Sequence, residues 1–172
     1  MSVPHDPKPV LLFTAVLFSE GVSTSDFMPL LYKEIGPTAF ESVIMHFVWS
    51  DYYEKEMGPK LRRVFMVYEK LLNRDELPDI KRKTDKLEQL FVKGGKRTVN
   101  IDPGLICMEN LELATNKAFF HRVYLRDGVF VEVTLFYKHN TYQPIEYWTY
   151  PEYRSTPVLD FFNTARTLLS SR

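Results

Sequence analysis

Apolar residues run almost without a break from Val10 to Phe18. A strand covered on both faces reads this way, because neither side meets water. Ser23-Thr24-Ser25-Asp26 then offers helix-capping oxygens, and Phe27, Leu30, Leu31 and Ile35 recur at helical spacing. Gly36-Pro37 closes that helix. Glu41 to Trp49 predicts a second strand, with His46 between Ile44 and Val48 as a core histidine. Leu61, Val64, Phe65, Tyr68 and Leu71 fall on one stripe with Lys and Arg outside it, which predicts a helix. Leu77-Pro78 interrupts the pattern, and Asp79 caps a further helix carrying Ile80, Thr84, Leu87 and Phe91.

Strand-like runs dominate the second half. Lys93-Gly-Gly-Lys96 reads as a turn, Arg97 to Ile101 as a strand, Asp102-Pro103-Gly104 as a tight turn and Asn110 to Lys117 as a strand. Asp127-Gly128 between two alternating runs is a hairpin signal, because a type I′ turn needs positive φ at both central residues. That register sets Arg126 opposite Val129, Leu125 opposite Phe130, Val123 opposite Glu132 and His121 opposite Thr134. His121 is then diagonal to Glu132, and Arg122 points to the other face. A second tight turn at His139-Asn140 leads to a strand from Tyr142 to Ile145. Pro157 opens a last helix striped by Val158, Phe161, Phe162, Ala165 and Leu168. The expected fold is α+β: a mainly antiparallel sheet with two to four helices packed mostly on one face. Residues 1–9, with three prolines, form an N-terminal arm, and residues 10–172 form one domain.

Composition narrows the chemistry. The formal net charge is zero, so no global electrostatic footprint calls for nucleic acid as a partner. One cysteine, Cys107, excludes an internal disulfide and a multi-cysteine metal site. Its apolar context predicts a buried, inert thiol. No run is long enough to span a membrane, and Val10 to Phe18 lacks the flanks of a secretory signal, so the expected location is cytoplasmic with no membrane partner. Lys93-Gly-Gly-Lys96 is no P-loop, since Leu90 stands where the first glycine is needed. No His-Glu-x-x-His or Gly-x-Ser-x-Gly spacing occurs, so no metal is assigned, and the residues leave any cofactor unknown.

Polar residues inside strand runs mark the candidate site, because burying them is costly without a reason. His121 and Glu132 form the candidate acid/base pair. Asn100 and Asp102 orient, Thr134 lies opposite His121, and Lys117, Arg122 and Arg154 hold an anion through charge-assisted hydrogen bonds. Trp148 and Tyr150, with Tyr147 and Tyr153, offer rings for stacking. The expected function is a small-ligand site for an anion or nucleotide on the central sheet, open to catalysis. The alternative is a non-catalytic module docking a protein or nucleic acid through the aromatic tail and the Lys-rich helix.

Six segments taken in order carry a resemblance: SDYYEKEMG, IKRKTDKLE, KRTVNIDPGLI, LELATNK, HRVYL and WTYPEYRS. Together they resemble an uncharacterised bacterial family, domain of unknown function forty-four-sixteen, over about Lys8 to Leu169. Ser50, Asp85, Leu105 and Glu152 stand where the family pattern has Thr, Asn, Tyr and Asp. The resemblance implies a fold and no established activity, although members are sometimes labelled GTP-binding. Asn116-Lys117 matches half of a guanine-recognition motif, and Ala118-Phe119 follows where an aspartate is required.

Overall fold

The structure, a computed structural model, describes residues 2–172. Residues 2–9 are exposed and carry no helix or strand. In chain order come β1 (Val10–Phe18), α1 (Thr24–Glu34), β2 (Thr38–Glu41), β3 (Met45–His46), the single-turn α2 (Glu54–Met57) and β4 (Arg62–Leu72). They are followed by α3 (Leu77–Gln89), the small hairpin β5 (Val92–Lys93) and β6 (Lys96–Arg97), then β7 (Val99–Ile106) and β8 (Asn110–Thr115). The chain ends with β9 (Val123–Arg126), β10 (Val129–Lys138), β11 (Thr141–Pro144) and α4 (Thr156–Ser170). One main sheet runs in the order β11-β10-β8-β7-β1-β4-β2, with β3 beside β4 and β9 beside β10. Its pairings are antiparallel throughout.

The α+β class follows from how the strands bury both faces. Val10, Leu12, Val16 and Phe18 of β1 pack with Phe27 and Leu31 of α1 and Leu77, Ile80 and Leu87 of α3. The alternate residues, Leu11, Phe13 and Ala15, pack with Val158, Phe162, Ala165 and Leu169 of α4. So α1 and α3 cover one face of the sheet, and α4 covers part of the other.

Four expectations are corrected. Leu61 to Leu71 is not a helix but strand β4, paired on one edge with β1 and on the other with β2 and β3. Its core, Val64-Phe-Met-Val-Tyr68, is buried on both faces, and such a continuous run satisfies a helical stripe by coincidence. The strand expected over Glu41 to Trp49 is two short edge strands, β2 and β3, and His46 is exposed on the latter. Asp102-Pro103-Gly104 makes no turn, because β7 runs straight through it. Gly104 is required there by close approach: a Cβ would lie 2.3 Å from the Glu112 carbonyl oxygen and 2.4 Å from the Phe13 ring. The β9–β10 hairpin keeps Arg126 opposite Val129, then slips, so that Tyr124 faces Phe130 and Val123 faces Val131. His121 and Arg122 precede β9 and lie in no ladder, so strand alternation does not separate them.

Candidate functional site

The site begins with a strand that parts from its neighbour. β7 pairs with β1 from end to end, but with β8 only from Gly104 to Ile106. Pro103 sits immediately before that short ladder and has no N–H to donate. Ahead of it, the Ile101 N–H donates to Glu88 Oε1 at 2.7 Å, and the Ile101 carbonyl accepts from Lys81 Nζ at 3.5 Å. Two side chains from α3 thus replace the bonds a strand partner would supply. The gap between β7 and the end of β8 opens into a cleft of about 670 Å³ on the part of the sheet face that α4 leaves uncovered.

Its floor is built of paired charges. Across the face, Leu17 of β1 lies opposite both Arg63 of β4 and Asn100 of β7. Arg63 Nε donates to both Glu152 oxygens at 3.1 and 3.2 Å, and both side chains are 5% exposed. Asn100 Nδ2 donates to Asp102 Oδ2 at 2.7 Å and its Oδ1 accepts from Arg97 Nη1 at 2.9 Å. Arg97 forks onto Glu56 at 2.7 and 2.9 Å and reaches Glu88 at 2.8 Å. Lys81 lies 3.0 Å from Asp85 and 3.5 Å from Asp102. Burial works against the Lys81 ammonium, but Asp102, Glu88 and Asp85 outweigh it and raise its pKa. Burial pushes the carboxyls of Glu88 and Glu152 up, only partly offset by Lys81 and Arg63.

Aromatic rings form the walls. Phe47, Trp49, Tyr52 and Tyr53 come from the segment between β3 and α2, and Tyr150 and Tyr153 from the one-turn helix at Pro151–Arg154 and its approach. Tyr52 and Tyr53 meet edge to face at 5.1 Å. Burial holds the Tyr53 hydroxyl well above its ordinary range. On the rim, Lys117 Nζ donates to Tyr52 Oη at 2.8 Å, and this contact lowers the Tyr52 pKa.

Six of the sequence-predicted residues line the cleft: Asn100, Asp102, Lys117, Arg122, Tyr150 and Tyr153. His121 and Glu132 lie behind them. His121 Nε2 is 3.1 Å from Glu132 Oε2, and Arg122 Nε donates to the same oxygen at 2.7 Å. Arg122 Nη2 then reaches Tyr150 Oη at 3.0 Å. Trp148 stacks on His121 with centroids 5.1 Å apart, and its indole N–H is bound to the Val133 carbonyl. Thr134 is fully buried, at the irregularity between Val133 and Leu135, and its carbonyl accepts from Thr149. Arg154 spends its guanidinium on the carbonyls of Thr149, Ile145 and Glu146, staples the loop before α4, and does not line the cleft.

Sequence reasoning missed Arg63, Lys81, Glu88, Arg97 and Glu152. Lys81 belongs to the Lys-rich helix, yet it is only 5% exposed. The available signal was the spacing: Lys81, Asp85 and Glu88 fall at i, i+4 and i+7 on one face of α3. Among the described residues, no group of three or more His, Cys, Asp and Glu could hold a metal ion. No helix among them is long and apolar enough to cross a membrane.

Fold and site together define an α+β protein with one main antiparallel sheet and a charged, aromatic-walled cleft where two strands part. The chain belongs to the family described as Domain of unknown function (DUF4416), whose model matches residues 8–168. No curated protein and no solved structure matches it.

Proposed function

We propose that this protein binds a small ligand, an anion or nucleotide, in the cleft between β7 and β8. The observation that carries the reading is the splay itself. Ion pairs and a helix's side chains hold two strands apart, where simple pairing would close the gap and bury it. Asn100 and Asp102 orient the ligand, Tyr52, Tyr53 and Tyr150 flank it, and Lys117 and Arg122 meet it at the rim. His121 and Glu132 act from behind the wall by fixing Arg122, which makes them positioning residues. Thermal-shift screening against nucleotides, phosphosugars and small carboxylic acids tests the proposal. At least one class should stabilise the wild type and leave an Asp102→Asn, Lys117→Ala double variant unmoved. Equal responses of the two proteins to every compound would sink it.

A second reading rests on a separate surface. Phe119, Phe120 and Tyr147 are 60%, 76% and 82% exposed next to the His121–Trp148 stack. Exposed rings of this kind suit a docking module. Replacing all three by Ser leaves cleft binding intact if the first reading is right.

A further inference from the structure

We infer that the ligand carries a single anionic group, hydrogen-bond donors and a flat ring, and that the cleft discriminates against polyanions. This rests on the small-ligand reading above and specifies its chemistry.

Nearly every charge in the cleft is already paired. Five cations line it: Arg63, Lys81, Arg97, Lys117 and Arg122. Arg63 is held by Glu152, Lys81 by Asp85 and Asp102, Arg97 by Glu56 and Glu88, and Arg122 by Glu132. Among the described residues, Lys117 alone of the five has no carboxylate partner. Its ammonium meets only the Tyr52 hydroxyl, at 2.8 Å, and the Tyr52 ring, 4.9 Å from its centroid. An ammonium has three donors, so Lys117 keeps capacity for one incoming anion. A second or third negative charge would meet cations already neutralised and face the carboxylates that neutralise them; Arg63 Nη1 has no partner, but it is buried beside Glu152. Most of those pairs are half-buried or better, where an unpaired charge is costly.

The floor of the cleft offers an acceptor. Asp102 stands in the floor with its side chain 23% exposed. One of its oxygens is bonded to Asn100, and the other is held only by the Lys81 ammonium at 3.5 Å. A carboxylate accepts about four hydrogen bonds, so Asp102 has room for N–H or O–H donors. Tyr52, Tyr53 and Tyr150 line the same cleft, and their faces and edges suit a planar ring. A carboxylate or a phosphodiester supplies a single charge, and a triphosphate supplies too many.

Two charge ladders at constant ring test this by calorimetry on the full chain. One is adenosine, 3′,5′-cyclic AMP and ATP. The other is aniline, 4-aminobenzoate and 5-aminoisophthalate. In whichever ladder binds, the singly charged member should bind about tenfold or more tighter than the neutral and the polyanionic members, as expected for one hydrogen-bonded charge. Lys117→Ala should reduce the singly charged member to the affinity of the neutral one, while Asp102→Asn should weaken all members alike. Lys117→Arg should retain the preference. Affinity that climbs steadily with charge overturns the inference while leaving the small-ligand reading intact. Failure of both ladders overturns it as well, and the broad screen then decides separately whether the cleft binds anything.

Discussion

One face of the sheet is two surfaces. Under α4 it is dry: Phe13, Phe65, Tyr153 and Phe162 interlock with ring centroids 4.8 to 5.7 Å apart. A few residues along the same strands it is ionic: β4 goes from Phe65 to Arg63, and β7 from Gly104 to Asp102 and Asn100. Strand alternation puts both sets on one side, so the change is not one of face. It comes from what lies on top. The apolar half is roofed by a helix that fills it, and the polar half is bordered by the Phe47–Tyr53 segment, which leaves space. Packing stabilises the first half, and the second must satisfy each of its charges internally.

That contrast predicts separable phenotypes. Phe162→Ala removes a fully buried ring from the roof and should cost about 3–5 kcal/mol in urea unfolding. Lys117→Ala on the rim of the polar half, where the side chain is exposed and meets only Tyr52, should stay within about 0.5 kcal/mol of wild type while binding of an anion in the cleft is weakened. Comparable destabilisation by the two would erase the distinction.

The buried Arg63–Glu152 pair sits on the border and should behave like neither half. Removing one partner, as in Glu152→Leu, strands the other charge and should cost about 3–5 kcal/mol. The double variant Arg63→Met, Glu152→Leu should recover most of that loss, because an apolar pair of similar size needs no solvation. Additive losses in the double-mutant cycle would mean that the pair is not coupled.

Gly104 marks the seam between the halves. Gly104→Ala would drive a methyl into Phe13 and the Glu112 carbonyl, and overpacking of this kind costs about 1–3 kcal/mol. The substitution should also weaken ligand binding, since Gly104 anchors the short β7–β8 ladder that sets the splay. Unchanged stability would show that both the Phe13 ring and the Glu112 backbone can shift to admit a methyl group.

The apolar half was readable in the sequence, and the polar half only in pieces. Val10 to Phe18 and the stripe of α4 announce themselves by period and length. β4 was misread because a strand buried on both faces shows no alternation to count. Asp102-Pro103-Gly104 looked like a turn because local chemistry favours one, and the pairing of β7 with β1 overrides it. Asn100, Asp102, Lys117, Arg122 and Tyr150 could be found because polar residues in strand-like segments stand out. Arg63, Arg97 and Glu152 could not, because each looks like an ordinary surface charge until its partner, 9 to 89 residues away, is brought beside it.

The smallest expected effect is a pH dependence confined to the ionic half. Burial raises the Glu88 carboxyl above its ordinary value of 4.5. The folded protein therefore takes up this proton at a higher pH than the unfolded chain does. Its contribution is fully present below about pH 4.5 and is lost as pH rises through the raised folded value. Glu88→Gln mimics the protonated form at every pH, so other titrating groups cancel when the two proteins are compared. The variant should gain on wild type as pH rises from about 4.5 through the raised folded value, read as a widening difference in urea midpoint. A difference that stays flat over that range would mean that Arg97 and the Ile101 N–H hold Glu88 ionised throughout, and the ionic half would then be as rigidly charged as the roofed half is apolar.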